Sequence, residues 1–313
     1  MTGIQLNILQ TLAYFDIFHY PLTNEEIKNF SSIETSQVLI DETLVVLTDN
    51  ETIYKIDEFY SLQDNLFLAV RRHNGNAKAV SEIKKAVKAA RILSKFPFVE
   101  GLALSGSLSK NFANDDTDID FFIIAKNNRL WIARTLMHVF YKLALMVGRQ
   151  RWFCMNYYID EAGLEIEEKN IFTAIEIITL IPMQGSNLVN KFITTNKWVK
   201  NYFPAYKAKN FGGPEIKKGW LRNGAEKILS GKLGDAADNW LMKITAKRWK
   251  KKEHKHNVNV KGICMGMLAA KHFAKPDPKH FQFKILDQYD NKVNQILYVQ
   301  NKGNVVKNSW GFS

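Results

Sequence analysis

Ile8, Leu12 and Phe15 recur at helical spacing across residues 4–18 and predict a first helix, which His19-Tyr20-Pro21-Leu22 breaks. Thr23-Asn24-Glu25-Glu26 has the form of a capping box opening a second helix. A third is expected over 35–47 with Val38, Leu39 and Val45 turned inward, and then a hairpin from 52–56 and 59–62 across Asp57-Glu58. Arg71 to Asn76 is polar and turn-rich, a linker candidate before a helix over 77–95. A short apolar strand over 98–105 follows, then Gly106-Ser107, a short helix over 108–113, and a second strand from Asp118 to Ala125. The broad apolar face of 129–147 predicts a core helix, 152–159 a strand, and 171–181 a helix ended by Pro182. From Asn187 onward the pattern is helical, with Phe211-Gly212-Gly213-Pro214 as a second linker candidate and no internal repeat.

The chemistry is concentrated between residues 98 and 125. Alternate residues of a strand share a face, so a strand starting at Asp118 sets Asp118 and Asp120 side by side. Two carboxylates so close call for a cation or a shared proton, and hard oxygen donors suit Mg²⁺ or Mn²⁺. Backbone N–H groups at the Gly106-Ser107 turn can receive a phosphate: Gly106 permits close approach, the Ser107 hydroxyl can donate, and Lys110 adds a point charge one turn on. The blander alternative is a solvated acidic turn, Asp115 to Asp118, before an ordinary buried strand. That alternative does not account for Asp120, a carboxylate within an apolar run that is costly to bury unpaired.

An apolar strand, Gly106-Ser107, a ten-residue spacer and Asp118-Ile119-Asp120 followed by apolar residues resemble the DNA polymerase beta superfamily of nucleotidyltransferases, in particular its minimal branch. The resemblance covers residues 98–125. It implies an α+β fold, a palm-like mixed sheet flanked by helices. It also implies Mg²⁺ on Asp118 and Asp120, phosphates of a nucleoside triphosphate (ATP the favoured one) on Gly106, Ser107 and Lys110, and transfer of NMP with release of pyrophosphate. The helix, helix, helix, hairpin order of the first module resembles a winged-helix domain.

One feature departs from that superfamily, whose third carboxylate usually stands on a later strand. The strand expected at 152–159 holds no acid, and by alternation Cys154, Asn156, Tyr158 and Asp160 share a face. Asn156 then occupies the third position, with Asp160 at the strand's end. An amide can ligate but cannot serve as a base. Three readings stay open: a one-metal enzyme, an enzyme whose third acid is Asp160 or another residue such as Glu176, and a degenerate nucleotide- or RNA-binding regulator. A scaffold whose transferase fold only joins other modules is a further rival.

Charge divides the chain. The 313 residues hold 43 Lys and Arg against 31 Asp and Glu, yet residues 1–60 carry two basic and ten acidic side chains, while 195–275 carry nineteen basic and five acidic. Three parts are expected: an acidic winged-helix-like module at 1–74, the nucleotidyltransferase domain at 75–205, and a basic helical region at 206–313. Between Ser31 and Tyr54 there is no basic residue and there are five acids, so the first module should repel duplex DNA and serve instead as an interaction module or a wall for the catalytic domain. The basic run from Lys247 to His256, with Trp249, is a candidate contact for an RNA acceptor; a protein or small-molecule acceptor remains open. No run of 18 apolar residues or signal-like start is present, which argues against a membrane partner. Cys154 and Cys264, far apart, fit free thiols in the cytoplasm.

Overall fold

The computed structural model describes residues 1–206, 212–252, 266–277 and 280–308, a mixed α+β chain with eleven α-helices and eight strands among the described residues. Helices α1 (Gly3–Asp16), α2 (Asn24–Asn29) and α3 (Gln37–Asp49) precede a hairpin of β1 (Tyr54–Ile56) and β2 (Phe59–Ser61). The capping box forms as the sequence predicts: Thr23 Oγ1 accepts the Glu26 N–H and Glu26 Oε2 accepts the Thr23 N–H. On α3 the inward stripe is not Val38, Leu39 and Val45, which are exposed, but Ile40, Leu44 and Leu47. Both stripes are apolar. Ile40, Leu44 and Leu47 join Ile8, Leu12 and Ile27 in one cluster, and it is packing against α1 and α2 that selects them.

The segment read as a linker is helical. Helix α4 (Phe67–Leu93) runs unbroken through residues 71–76 because its polar residues are anchored at their far ends. Arg72 pairs with Glu26 at 2.7 Å and lies over the Tyr20 ring, and Arg71 lies over Phe112. Gly75 faces the Phe112 ring so closely that a Cβ there would come within 2.2 Å of it.

After α4 come β3 (Val99–Ser105), the single turn α5 (Gly106–Ser109), β4 (Asp120–Ala125), α6 (Leu130–Met146), β5 (Cys154–Asp160), α7 (Ile171–Ile178), β6 (Ile181–Gln184) and α8 (Ser186–Thr195). Helices α9 (Trp220–Ile228) and α10 (Lys232–Lys252), the short strands β7 (Leu268–Ala269) and β8 (Phe273–Lys275), and α11 (Phe281–Asn308) complete the chain. The six-stranded sheet has the order β6-β3-β4-β5-β8-β7; β4 and β5 are parallel and the other neighbours antiparallel. Helix α7 stops three residues short of the expected end, and Ile181 to Gln184 add an edge strand. Pro182, which has no N–H to give, is tolerated there beside a register shift in β3. The basic C-terminal region is not purely helical either, since it supplies β7 and β8.

One face of the sheet packs on α4, α6 and α10 through residues such as Ala90, Leu104, Ile123, Trp131 and Trp249. The other packs on α7, α8 and the N-terminal helices through Phe122, Ile124, Ile175 and Phe192. The N-terminal module is thus continuous with the core: Tyr14 meets Tyr289 of α11 edge-on, and Phe30 meets Phe203. Among the described residues no helix is long and apolar enough to cross a membrane.

A buried acid ties α10 to α6. Asp238 is 4% exposed, and its Oδ1 accepts the Ile132 N–H at 2.9 Å. Burial outweighs that hydrogen bond and pushes its carboxyl up to about 6. A carboxyl titrating near 4 when unfolded and higher when folded binds more protons in the native state, so stability is greater below about pH 4 and declines as pH rises towards 6. Asp238→Asn keeps an acceptor for Ile132 and should remove this decline, with a gain on the order of 1 kcal/mol at pH 7. Urea unfolding at pH 4.5 and pH 7 checks it; a loss of stability at pH 7 would contradict the assignment.

Candidate functional site

The site forms where β3 ends. Ser105 pairs with Asp120 in the β3–β4 ladder, and the chain then turns at Gly106 with φ +68°. That left-handed conformation favours glycine, and there is a second reason for it: a Cβ at Gly106 would stand 2.3 Å from Asp120 Oδ2. Gly106→Ala should therefore cost roughly 1–3 kcal/mol and push the Asp120 carboxylate out of place. A melting curve matching wild type would refute it.

Strand β4 begins at Asp120, with Asp118 exposed just before it. Between them Ile119 is buried and held by both backbone groups: its N–H donates to Arg151 O at 2.8 Å and its carbonyl accepts from Cys154 N at 3.1 Å. The strand expected from Asp118 thus starts two residues later, and Asp118, though near enough for its charge to act on Asp120, is not part of the cavity wall that Asp120 lines. Burial is the main cause that pushes the Asp120 carboxyl up to about 6, and the charges of Asp118 and Glu176 add to it. Hydrogen bonds from Cys154 and Asn156 work against the shift without cancelling it. Burial likewise pushes the Cys154 thiol up, with Asp120 adding to it, so it is no nucleophile. Asp118, Asp120 and Glu176 thus bring three carboxyl groups within electrostatic reach of one another at this corner.

Asn156 donates Nδ2 to Asp120 Oδ1 at 2.6 Å and so stands at the predicted third position. Asp160 does not. The ladder pairs Phe121 with Met155 but Phe122 with Tyr157, a bulge at Asn156 that moves Tyr158 and Asp160 to the opposite face from the one alternation predicts. Asp160 pairs with Ala125, five residues along β4 from Asp120 or about 16 Å away. It is fully buried, with its oxygens taken by the N–H groups of Asn128, Ala162 and Gly163 and by His272.

The acid that does reach the site is Glu176 of α7. Its Oε1 accepts from Lys110 Nζ at 2.8 Å and its Oε2 from the Gly106 N–H at 3.4 Å, so it sits on the groups predicted to hold phosphate. Lys110 also donates to Gly106 O, and its own carbonyl accepts the Tyr20 hydroxyl at 2.6 Å, fastening the N-terminal module to the site. Ser105, Gly106, Ser107, Lys110, Asp120 and Asn156 all line a cavity of about 740 Å³, enclosed by α1 and its following turn, α7 and the start of α11.

Other candidate groups are structural. Arg129 binds the carbonyls of Leu229 and Ser230 and pairs with Asp235. Trp249 is buried against Trp131 and beneath Arg134, which rules out its stacking on a base. His254, His256 and Cys264 lie outside the described residues. Among the described residues, the only three metal-type ligands with atoms within 4.8 Å of one another are Asp57 and Glu58 of the β1–β2 turn and His73 of α4, all exposed and not part of the cavity wall. The sequence pattern gave no hint of them, because His73 comes from the segment read as a linker.

Comparison with models of known protein families, with curated proteins and with solved structures yields no match to this chain.

Proposed function

We propose that the chain is a metal-dependent nucleotidyltransferase of the polymerase beta type, transferring NMP from a nucleoside triphosphate, ATP the favoured one, to an acceptor hydroxyl. The observation that carries the reading is the closure of Gly106 on Asp120: a glycine turn with no room for a side chain, set against a carboxylate raised chiefly by burial. Asp118 and Asp120 would hold Mg²⁺ or Mn²⁺, which neutralises charge on the transferring group and on pyrophosphate. The Gly106 and Ser107 amides and Lys110 hold the phosphates once Lys110 exchanges Glu176 for a phosphate oxygen. The acceptor oxygen forms a bond to the α-phosphorus as the bond from that phosphorus to the bridging oxygen breaks. Pyrophosphate leaves, and the hydroxyl proton passes to Glu176, the carboxylate freed by that exchange. Asn156 orients Asp120 and takes no proton. The N-terminal module, winged-helix-like in order, walls the site and does not read DNA.

Pyrophosphate release from each of the four NTPs, with Mg²⁺ or Mn²⁺, tests the proposal. Metal-dependent release from at least one NTP is expected. A second reading rests on Glu176 filling the phosphate cradle and on the amide at 156: a regulator that binds nucleotide without turning it over. Saturable NTP binding with no release under any condition would favour it over the enzyme.

A further inference from the structure

Away from the Asp120 corner the cavity is an aromatic chamber. Rings converge on it from separate parts of the chain: Phe15 and Phe18 of the N-terminal module, Phe122 of β4, Tyr157 of β5, Phe172 of α7 and Phe281 of α11. Three cations reach the wall, and each is already engaged. Lys110 pairs with Glu176 at 2.8 Å, and Lys275 pairs with Glu168 at 2.7 Å and also donates to Gln282. Arg71 donates to the carbonyls of Phe18 and His19 and lies flat over Phe112. Four carboxylates, Asp120, Glu168, Glu176 and Asp277, line the same space. A nucleic-acid strand needs a groove of unopposed positive charge along its backbone, and this chamber sets four carboxylates against three cations, so it offers no such track. Its volume lies within the range of pockets that enclose small ligands, about 300–1,000 Å³, and its lining of rings with a few polar groups is typical of them.

We propose that the chamber binds the acceptor, and that the acceptor is a small uncharged molecule with an aromatic or aliphatic body and one terminal hydroxyl. This rests on the transferase reading above. The body lies among the rings. The hydroxyl end faces Asp120 and Glu176, where its oxygen takes the NMP and its proton leaves to Glu176. At the other end Gln282, buried and joined to Thr173 of α7, marks a polar floor one helical turn from Glu176.

The test uses the full chain and the neutral dye N-phenyl-1-naphthylamine, whose fluorescence rises in apolar surroundings, with 4-phenyl-1-butanol and an RNA oligonucleotide as competitors. Saturable dye binding is expected, displaced by the alcohol and not by the RNA. Ile177→Trp, which fills the chamber from α7, should weaken it at least tenfold; Leu180→Phe, a smaller intrusion, keeps the comparison readable should Ile177→Trp fail to fold. Absence of saturable binding, or unchanged affinity in the folded filled variants, overturns the proposal. So does RNA-stimulated pyrophosphate release that saturating dye leaves untouched, since the acceptor would then bind elsewhere. Dye binding with no NTP-dependent release in any condition overturns the transferase reading while upholding the ligand class of the chamber.

Discussion

Asp120→Asn is expected to lower pyrophosphate release by at least about a hundredfold while making the metal-free protein more stable. Loss of activity follows from removing one of the two oxygen donors proposed to hold the metal, a change of the size seen when an electrostatic contact to the transition state is deleted. The gain in stability follows from burial. The Asp120 carboxyl is pushed up to about 6, chiefly by loss of water and further by Asp118 and Glu176, so at pH 7.5 the folded protein holds an anion it resists. A folded-state value above the unfolded one means that ionisation destabilises the fold as pH rises through about 4 to 6. Asparagine removes that charge, keeps an oxygen for the Asn156 amide and fits beside Gly106. A gain on the order of 1 kcal/mol is expected in chelator-treated protein at pH 7.5, shrinking towards zero near pH 4. Asp118→Asn should also abolish release but leave stability nearly unchanged, because Asp118 is exposed. The two variants thus separate function from folding. Wild-type turnover in either would remove the assigned metal donors, and a destabilised Asp120→Asn would show the carboxylate to be held by contacts rather than strained against them.

Local chemistry made much of this site legible in the sequence. Gly106 and Asp120 stand out because few other reasons put a glycine at a strand end and an acid within an apolar strand, and the Thr23–Glu26 capping box is complete within four residues. What stayed hidden depends on distant partners. Both stripes of α3 are apolar, and only packing against α1 and α2 chooses Ile40 and Leu44 over Val38 and Val45. Arg71 to Asn76 have the composition of a linker until Glu26, Tyr20 and Phe112 take up their side chains. A single bulge at Asn156 is invisible to alternation, yet it moves Asp160 from the site's face to the opposite one. The Glu176–Lys110 pair joins residues 66 positions apart, and an acid in the run Ile175 to Ile178 gives no sign of where it points. The strands β7 and β8, of two and three residues, are too short to show a period at all.

The position of Asp160 carries the largest stability effect expected. Its carboxylate, without solvent exposure, ends three backbone N–H groups, from Asn128, Ala162 and Gly163, and receives His272 Nδ1 at 2.9 Å. These partners are the start of the turn into α6, the turn leaving β5, and the hairpin that adds β8 to the sheet, so one side chain fastens three segments. Asp160→Ala removes the side-chain acceptor from all of these groups, although Ala162 and His272 can turn to water and the Gly163 N–H keeps the Asp160 main-chain carbonyl at 3.0 Å. A hydrogen bond lost where the donor still reaches water or a second partner costs about 1 kcal/mol, and since these bonds share one acceptor the sum falls short of additive, about 2–4 kcal/mol in all. Asp160→Asn should lie between, because its amide retains one acceptor oxygen but turns an N–H₂ towards groups that also donate. Chemical denaturation of both variants measures this, alongside pyrophosphate release at a temperature where each is folded. Two readings of the residue then part company. A structural clasp predicts lower stability with release per folded molecule retained, whereas a third catalytic carboxylate predicts lost release with stability near wild type; the roughly 16 Å of β4 between Asp120 and Ala125, the residue that Asp160 pairs with, favours the first.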